Sequence, residues 1–423
     1  MVCDHSIRST EPSIHAAEVG YCRPTVEQRE SAATTSNAIR KRKRDIADAN
    51  TNETFPAPLI LPGDDLSLDP DYPRQSLCAW IRERDRNEVT PEKNVIYVAG
   101  PPNIEANAAS IRAWSKPKEQ HGVRDIKLPQ LEEDIVEYLS AFYLGLPVKP
   151  LTCSKLLFTN WEEDSKAVKN SRAGAKAKRV LPKYVGLKTS TECIGVRTRP
   201  SFDGVFASQL NLGDLLDVAI TILPKDAYAM LLLVEHDLFE DEDDEFVCGR
   251  AYGGSRVAVV STARYNPSLD LRQNVEREHA WPLSHCVAYI KTCCAGESVP
   301  DLTGVKGQAR AGGSESPASL SALYLSRICR TASHELGHCF GIDHCVFYAC
   351  SMQGSASLTE DARQPPYLCP VDLAKVLQAT GADIDHRYRA LLAFCKNHGD
   401  TSCFDAFGAW IEKRLEKVGH QQH

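Results

Sequence analysis

Three histidines and one glutamate lie within eleven residues of this chain at spacings that suit a catalytic metal site. His334 and His338 are four positions apart, so on a helix both imidazoles leave one face and can share a metal ion. Glu335 lies one position further round, where it can act as general base on a metal-bound water. Gly341 permits the positive φ that ends a helix, and the turn brings back His344 as a third ligand. Three neutral nitrogens and an open fourth position are typical of a catalytic zinc.

A methionine follows this motif at a position that suits a metal site. Met352 comes eight residues after His344 and is one of three methionines in the chain. The residues around it, Ser351-Met352-Gln353-Gly354, are typical of a turn. In zinc peptidases with the extended three-histidine motif, a methionine in a tight turn lies beneath the metal.

The segment that begins at His334 resembles one family closely. It reads HELGHCFGIDHCVFYACSMQG and is followed by CPVD at Cys369 to Asp372, a combination similar to the archaemetzincins of the metzincin clan. The resemblance covers roughly residues 75 to 400. It implies an α/β, zincin-like metzincin fold, with a twisted mixed sheet, an active-site helix and a smaller C-terminal subdomain. It also implies a metallopeptidase, that is, a protease and hydrolase.

The same resemblance implies a second, structural zinc ion held by four cysteines. Cys345, Cys350 and Cys369 occupy three of those positions, and Asp372 occupies the fourth. Because aspartate can ligate zinc through oxygen, a Cys₃Asp site is one interpretation. The alternative is three buried cysteines, with Asp372 capping a helix that starts at the next residue. Cys395 or Cys403 could also supply a replacement ligand.

Hydrophobic patterns predict the elements that position these residues. Apolar runs predict strands at residues 94–98, 218–223, 228–235 and 257–260. Apolar residues at helical spacing predict helices at residues 131–144, from Pro317 to the histidine motif, and after Phe404. We expect peptide substrate to pair with an edge strand of the sheet, near residues 253–264.

Composition changes along the chain predict its organisation. Residues 1–74 are polar and lack periodicity, which predicts a disordered tail before a peptidase domain at 75–400. Inserted loops are expected near residues 165–183 and 295–317, and a C-terminal helix and tail at 401–423. The five cations Arg40–Arg44 are typical of a nuclear localisation signal and equally of a solvated charge run.

The overall composition excludes several classes of protein. The chain has 423 residues, 43% hydrophobic and 25% charged, which excludes a wholly disordered chain or a coiled coil. Its net charge of −7 disfavours a nucleic-acid partner. No signal sequence or membrane-spanning run is evident, so the 16 cysteines are expected in a reducing intracellular compartment, cytoplasmic or nuclear, rather than in a secreted protein.

These patterns predict a zinc-dependent metallopeptidase that acts on a peptide or protein. Glu335 would deprotonate the attacking water, with the zinc lowering the pKa of that water. The alternative is a catalytically silent zinc protein that serves as an interaction scaffold. The sequence distinguishes neither an aminopeptidase from an endopeptidase nor one oligomeric state from another.

Overall fold

The computed structural model describes residues 3, 5, 7–35, 54–118, 126–152, 156–161, 182–296, 316–399 and 402–419. The basic run Arg40–Arg44 lies outside them, as does most of the two predicted inserted loops. The chain divides into two compact units whose segments alternate along the sequence. Unit 1 comprises Met1–Arg86, Asp270–Ser326 and Ile342–His423, and unit 2 comprises Asn87–Leu269 and Arg327–Gly341.

All strands belong to unit 2 in the described part of the chain. They are β1 (Val95–Ala99), β2 (Asn103–Ile104), β3 (Val148–Pro150), β4 (Leu157–Asn160), β5 (Tyr184–Lys188), β6 (Cys193–Arg199), β7 (Gln209–Asn211), β8 (Ala227–Val234), β9 (Leu238–Phe239), β10 (Gly249–Tyr252) and β11 (Val257–Ser261). The strands predicted near residues 94–98, 228–235 and 257–260 are therefore confirmed as β1, β8 and β11.

The helices occur in both units. They are α1 (Ile14–Glu18), α2 (Val26–Ala32), α3 (Asp65–Leu68), α4 (Leu77–Arg82), α5 (Ala109–Arg112), α6 (Leu131–Phe142), α7 (Leu212–Ile222), α8 (Val287–Cys294), α9 (Pro317–Cys339), α10 (Leu358–Arg363), α11 (Pro370–Thr380), α12 (Ile384–Asn397) and α13 (Ser402–Gly419). The chain is thus mixed α/β, as predicted. None of the described helices is long and apolar enough to cross a membrane.

Unit 2 contains a five-stranded mixed sheet in the order β10–β11–β8–β1–β3. β3, β1, β8 and β11 are parallel, whereas β10 lies antiparallel at one edge. All eight residues of β8 are buried, because this strand has parallel neighbours on both sides and is covered on both faces. A second sheet has the order β2–β4–β5–β6–β7–β9.

The strand predicted at residues 218–223 is wrong, since this stretch belongs to helix α7. Asn211 caps the helix by accepting a hydrogen bond from the backbone N–H of Asp214 at 3.1 Å. Leu212, Leu215 and Ala219 are fully buried at helical spacing. The β-branched run at the end of α7 imitates a buried strand, but capping and packing against the sheet decide the helix.

The predicted disordered tail is wrong for residues 7–35 and 54–74, which fold as part of unit 1. Helix α2 begins with a reciprocal capping box between Thr25 and Gln28. The Tyr21 hydroxyl donates to the Val346 carbonyl at 2.7 Å, and Phe55 is fully buried. Short capped helices and isolated aromatic anchors hold this polar segment, and neither produces the periodicity of a long helix.

The C-terminal helices of unit 1 pack through aromatic rings. Trp410 on α13 stacks on Tyr367, with ring centroids 4.1 Å apart. Phe404, Phe407 and Ile411 are buried along the same helix. The helix predicted after Phe404 is therefore present, and its apolar face packs within unit 1.

Candidate metal centres

Hydrogen bonds from neighbouring elements fix the rotation of helix α9 in unit 2. The Tyr143 hydroxyl donates to the Ser333 carbonyl at 2.6 Å. Thr331 donates to the Tyr265 hydroxyl at 2.7 Å, and Arg327 donates to the Tyr265 carbonyl at 3.2 Å. Because these bonds surround one part of the helix, they determine which face carries the histidine side chains.

His334 and His338 face each other across one turn of α9. Their Nε2 atoms are 3.1 Å apart and their ring planes are 86° apart. Two nitrogens bound to one tetrahedral zinc at about 2.0–2.1 Å lie about 3.3 Å from each other. Both side chains are half-buried. The separation of the two nitrogens therefore suits a shared zinc ion.

Glu335 lies against the first residue of the edge strand β10. The side chain is 7% exposed. A Cβ on Gly249 would lie 3.2 Å from both Cγ and Oε1 of Glu335, and 3.1 Å from the Val259 carbonyl oxygen. A glycine at this position therefore leaves the space that the carboxylate occupies. Edge strand and carboxylate are neighbours within unit 2.

Helix α9 ends with aromatic packing, followed by a glycine in the left-handed backbone conformation. Phe340 stacks on Tyr143 with ring centroids 4.8 Å apart and contacts Tyr228 at 4.5 Å. The Tyr228 hydroxyl donates to the Cys339 carbonyl at 3.4 Å. Gly341, predicted to end the helix, has a φ of +71°, a conformation that side-chain-bearing residues rarely adopt.

His344 and Met352 belong to unit 1. The His344 ring lies 5.5 Å from the Tyr72 ring, and burial lowers the pKa of His344, which favours the neutral imidazole that a metal requires. Met352 is fully buried in a turn. Its carbonyl accepts from the Cys345 N–H at 2.7 Å, so the backbone before and after this turn is joined.

Cys345, Cys350, Cys369 and Asp372 form a buried cluster in unit 1. Their candidate ligand atoms all lie within 4.8 Å of one another. The Cys345 and Cys369 sulfurs are 3.5 Å apart, and Asp372 Oδ2 is 3.3 Å from Cys369 Sγ and 3.4 Å from Cys350 Sγ. Sulfur atoms on one tetrahedral zinc are about 3.8 Å apart. Four donors of this size therefore fit a closed zinc site.

The capping role considered for Asp372 is wrong. Helix α11 begins at Pro370, its N-cap is Cys369, and no side chain caps it. Asp372 lies in the first turn, three residues after Cys369, so both side chains leave one helix face. Neither Cys395 nor Cys403 belongs to the cluster among the described residues.

Two residues that the sequence did not single out hold Asp372 in place. Lys375 Nζ donates to Asp372 Oδ1 at 2.8 Å and to Gln75 Oε1 at 2.8 Å. Burial and the nearby Cys345 raise the pKa of Asp372 to about 7, although Lys375 opposes that shift. The spacing of Lys375, one helical turn after Asp372, is a weak sequence signal for an ion pair between them. The sequence carries no such signal for Gln75 or Gly249.

Comparisons with known proteins agree with the motif. Residues 318–378, which contain the histidine motif and the Cys345–Asp372 cluster, match the model of Peptidase family M54. The chain is 30% identical to human Archaemetzincin-2 over 215 residues, which are 50% of this chain and 52% of that protein. It is 31% identical to human Archaemetzincin-1 over 201 residues, 46% of this chain and 35% of that protein.

The aligned part thus spans about half the length of Archaemetzincin-2. A crystal structure of archaemetzincin from Methanopyrus kandleri covers 69% of this chain and 97% of its own, at 18% identity and a TM-score of 0.33. A score of this size does not establish a shared fold. The resemblance predicted from the sequence is confirmed: residues 318–378 match the model of Peptidase family M54, and about half of the chain is similar in sequence to Archaemetzincin-2.

Proposed function

We propose that this protein is a zinc-dependent metallopeptidase that hydrolyses peptide bonds in peptides or proteins. The observation that carries the proposal is the facing pair His334 and His338, with Glu335 on the same helix against an edge strand. The match to Peptidase family M54 over residues 318–378 supports it. A zincin-like architecture and an intracellular, cytoplasmic or nuclear location are parts of the same proposal.

His334, His338 and His344 are the proposed ligands of the catalytic zinc. Gly341 turns the chain at the end of α9, and His344 follows three residues later, within a reach of about 10 Å. Zinc at this site would supply a Lewis acid that acidifies a water and polarises the scissile carbonyl.

Glu335 is the proposed general base. Its carboxylate takes the proton of the attacking water and returns it to the departing amine as the peptide bond breaks. The low exposure of this side chain keeps competing water away from the carboxylate. Gly249 holds the carboxylate position open by lacking a side chain.

The proposed substrate-pairing strand is β10, Gly249–Tyr252. We expected it near residues 253–264, but β11 in that region is hydrogen-bonded on both sides, to β10 and to β8. β10 is the terminal strand of the sheet order, and its first residue lies beside Glu335. An extended peptide added to this edge by main-chain hydrogen bonds would lie next to the base.

Cys345, Cys350, Cys369 and Asp372 are the proposed ligands of a second, structural zinc. Thiolates and a carboxylate in a solvent-excluded, four-donor cluster suit a closed site that contributes folding free energy. Lys375 holds the outer carboxylate oxygen of Asp372, which leaves Oδ2 for the metal.

Glu335→Gln tests the catalytic proposal. The variant is expected to keep its zinc content and lose cleavage of a defined peptide mixture, measured by mass spectrometry and elemental analysis. Glu192→Gln, an exposed glutamate in the same unit, is the matched control and should cleave like the wild type. Cleavage retained by Glu335→Gln contradicts the role of the base.

The same mixture separates the remaining possibilities. Products shortened stepwise from the N-terminus indicate an aminopeptidase, and internal cuts indicate an endopeptidase. A wild-type protein that holds zinc and cleaves nothing across the mixture would favour the silent scaffold.

A further inference from the structure

The N-terminal segment is paired with the segment before helix α8 in unit 1. Ser9 N–H donates to the His285 carbonyl at 2.8 Å, and Val287 N–H donates to the Ile7 carbonyl at 3.0 Å. Arg8 and Cys286 therefore form an antiparallel bridge. Cys3 and His5 precede this bridge in the sequence and lie near the loop that ends at α8.

Three side chains with metal-binding chemistry meet there. One ligand atom each from Cys3, His5 and His279 lies within 4.8 Å of the others. The His5 and His279 rings are 5.0 Å apart. Nε2 of each histidine is buried, and neither atom has a hydrogen-bond partner in the part of the chain that the structure describes. Two buried and unsatisfied imidazole nitrogens are costly unless something binds them.

The His279 ring is held in the orientation that a metal ligand needs. Its Nδ1 lies 3.1 Å from Glu276 Oε2, and its plane stacks on Tyr289 with centroids 4.1 Å apart. With the ring proton on Nδ1, this nitrogen donates to the Glu276 carboxylate. Nε2 then carries the free lone pair, as in the carboxylate–histidine–zinc arrangement.

A second thiol borders the cluster. Cys286 Sγ is 3.1 Å from Cys3 Sγ, and both cysteines pack against the apolar side chains Leu59, Leu61 and Ile290. Cysteine sulfur and imidazole nitrogen are the donors that zinc prefers over calcium or magnesium. Cys286 adjoins the cluster through Cys3, but it does not belong to the group of three ligand atoms.

We propose that Cys3, His5 and His279 bind a third zinc ion, which fastens the N-terminal segment to the loop before α8. The site shares no residue with the histidine motif or with the Cys345 cluster. It rests on the positions of its own ligands and not on peptidase activity. Its role is structural, because a metal between segments distant in sequence closes a long loop.

Zinc analysis of the full-length protein tests the proposal. The double variant Cys3→Ser/His279→Ala is expected to hold about one zinc per chain less than the wild type and to retain cleavage. Cys22→Ser, an exposed cysteine of the same unit, is the matched control and should keep the wild-type zinc content. Equal zinc content in the double variant and the wild type overturns the proposal.

A measurement on the wild type covers the case in which the double variant fails to fold. Alkylation of the Cys3 peptide, followed by mass spectrometry, should accelerate roughly tenfold when zinc is removed by a chelator and slow again on adding zinc chloride. Alkylation that ignores zinc overturns the proposal. So does a Cys3–Cys286 disulfide as the form present in the zinc-loaded protein.

Discussion

Asp372 and Lys375 form a buried ion pair inside a thiol cluster, and this pair would allow Asp372 to serve as a ligand of the proposed second zinc. A carboxylate has two oxygens, so one can bind metal while the other needs a partner away from water. Lys375 supplies that partner for Oδ1, and Gln75 holds the ammonium in turn. Burial alone would lower the pKa of Lys375, but the charge of Asp372 raises it and keeps the ammonium protonated.

Removing this support is expected to weaken binding of the proposed second zinc. Lys375→Met should lower the zinc affinity of the cysteine cluster by roughly 10–100-fold, because Asp372 loses the group that orients it. The protection of Cys350 from alkylation, measured against increasing chelator concentration, reports this site alone. Lys413→Met, an exposed lysine of unit 1, is the control, and an equal chelator midpoint in both variants would contradict the role of Lys375.

Gly249 leaves room for the Glu335 carboxylate because it has no side chain. Gly249→Ala is expected to reduce peptide cleavage by roughly tenfold or more, because the new methyl group displaces the Glu335 carboxylate. Zinc content should not change. Gly254→Ala is the matched control, since a Cβ there meets nothing within 4 Å. Similar activity of the two variants would rule out crowding at Glu335.

Among the elements, helix α9 depends on the aromatic contacts at its C-terminal end. Phe340 is fully buried between Tyr143 and Tyr228, directly after the turn that carries His338. Hydroxyl groups of the same two tyrosines bond to carbonyls of α9. The packing that stabilises this helix end therefore also sets the position of the histidines.

Truncation of this ring is expected to destabilise the protein. Phe340→Ala should lower the free energy of unfolding by about 3–5 kcal/mol, measured by urea titration. Phe202→Ala, in the same unit but with a 71% exposed ring, should change it by less than about 0.5 kcal/mol. A small loss for Phe340→Ala would mean that the helix end is held by its hydrogen bonds.

Elements with strong local signals could be predicted from the sequence, and those fixed by distant contacts could not. The histidine spacing predicted α9, and the fully apolar run predicted β8. The short capped helices α1 and α2 could not be predicted from local pattern. Tyr21 and Phe55, which anchor this segment, contact residues far along the chain. The same reason hides Gln75 beside Lys375 and His279 beside His5, pairs that only the folded chain brings together.

For the whole molecule, one buried carboxyl group couples stability to pH. Burial and the neighbouring Asp64 raise the pKa of Glu360 above its usual value near 4.5, although Arg363 opposes the shift. The folded state therefore holds this proton more tightly than the unfolded chain does. The resulting stability is complete below the unfolded pKa and is lost as pH rises through the folded pKa.

Glu360→Gln should remove that dependence. The wild type is expected to lose thermal stability between about pH 5 and about pH 9, and the variant to lose less, because its amide does not ionise. In the wild type, Glu360 Oε2 accepts hydrogen bonds from the N–H groups of Asp65 and Ala356. The amide oxygen of glutamine can accept the same two hydrogen bonds. Glu416→Gln, an exposed control, should keep the wild-type slope, and equal slopes in all three proteins would exclude Glu360 as the source.

The alternation of the two units along the chain has a consequence for synthesis on the ribosome. Unit 2 lacks its histidine helix until Arg327–Gly341 has been made, and unit 1 lacks the four helices α10 to α13 until Ile342–His423 follows. A nascent chain therefore cannot finish one unit before beginning the other, as consecutive domains do. Cys3 and His5 are translated before His279, so these two residues can join their proposed site only after the long segment between them has been made.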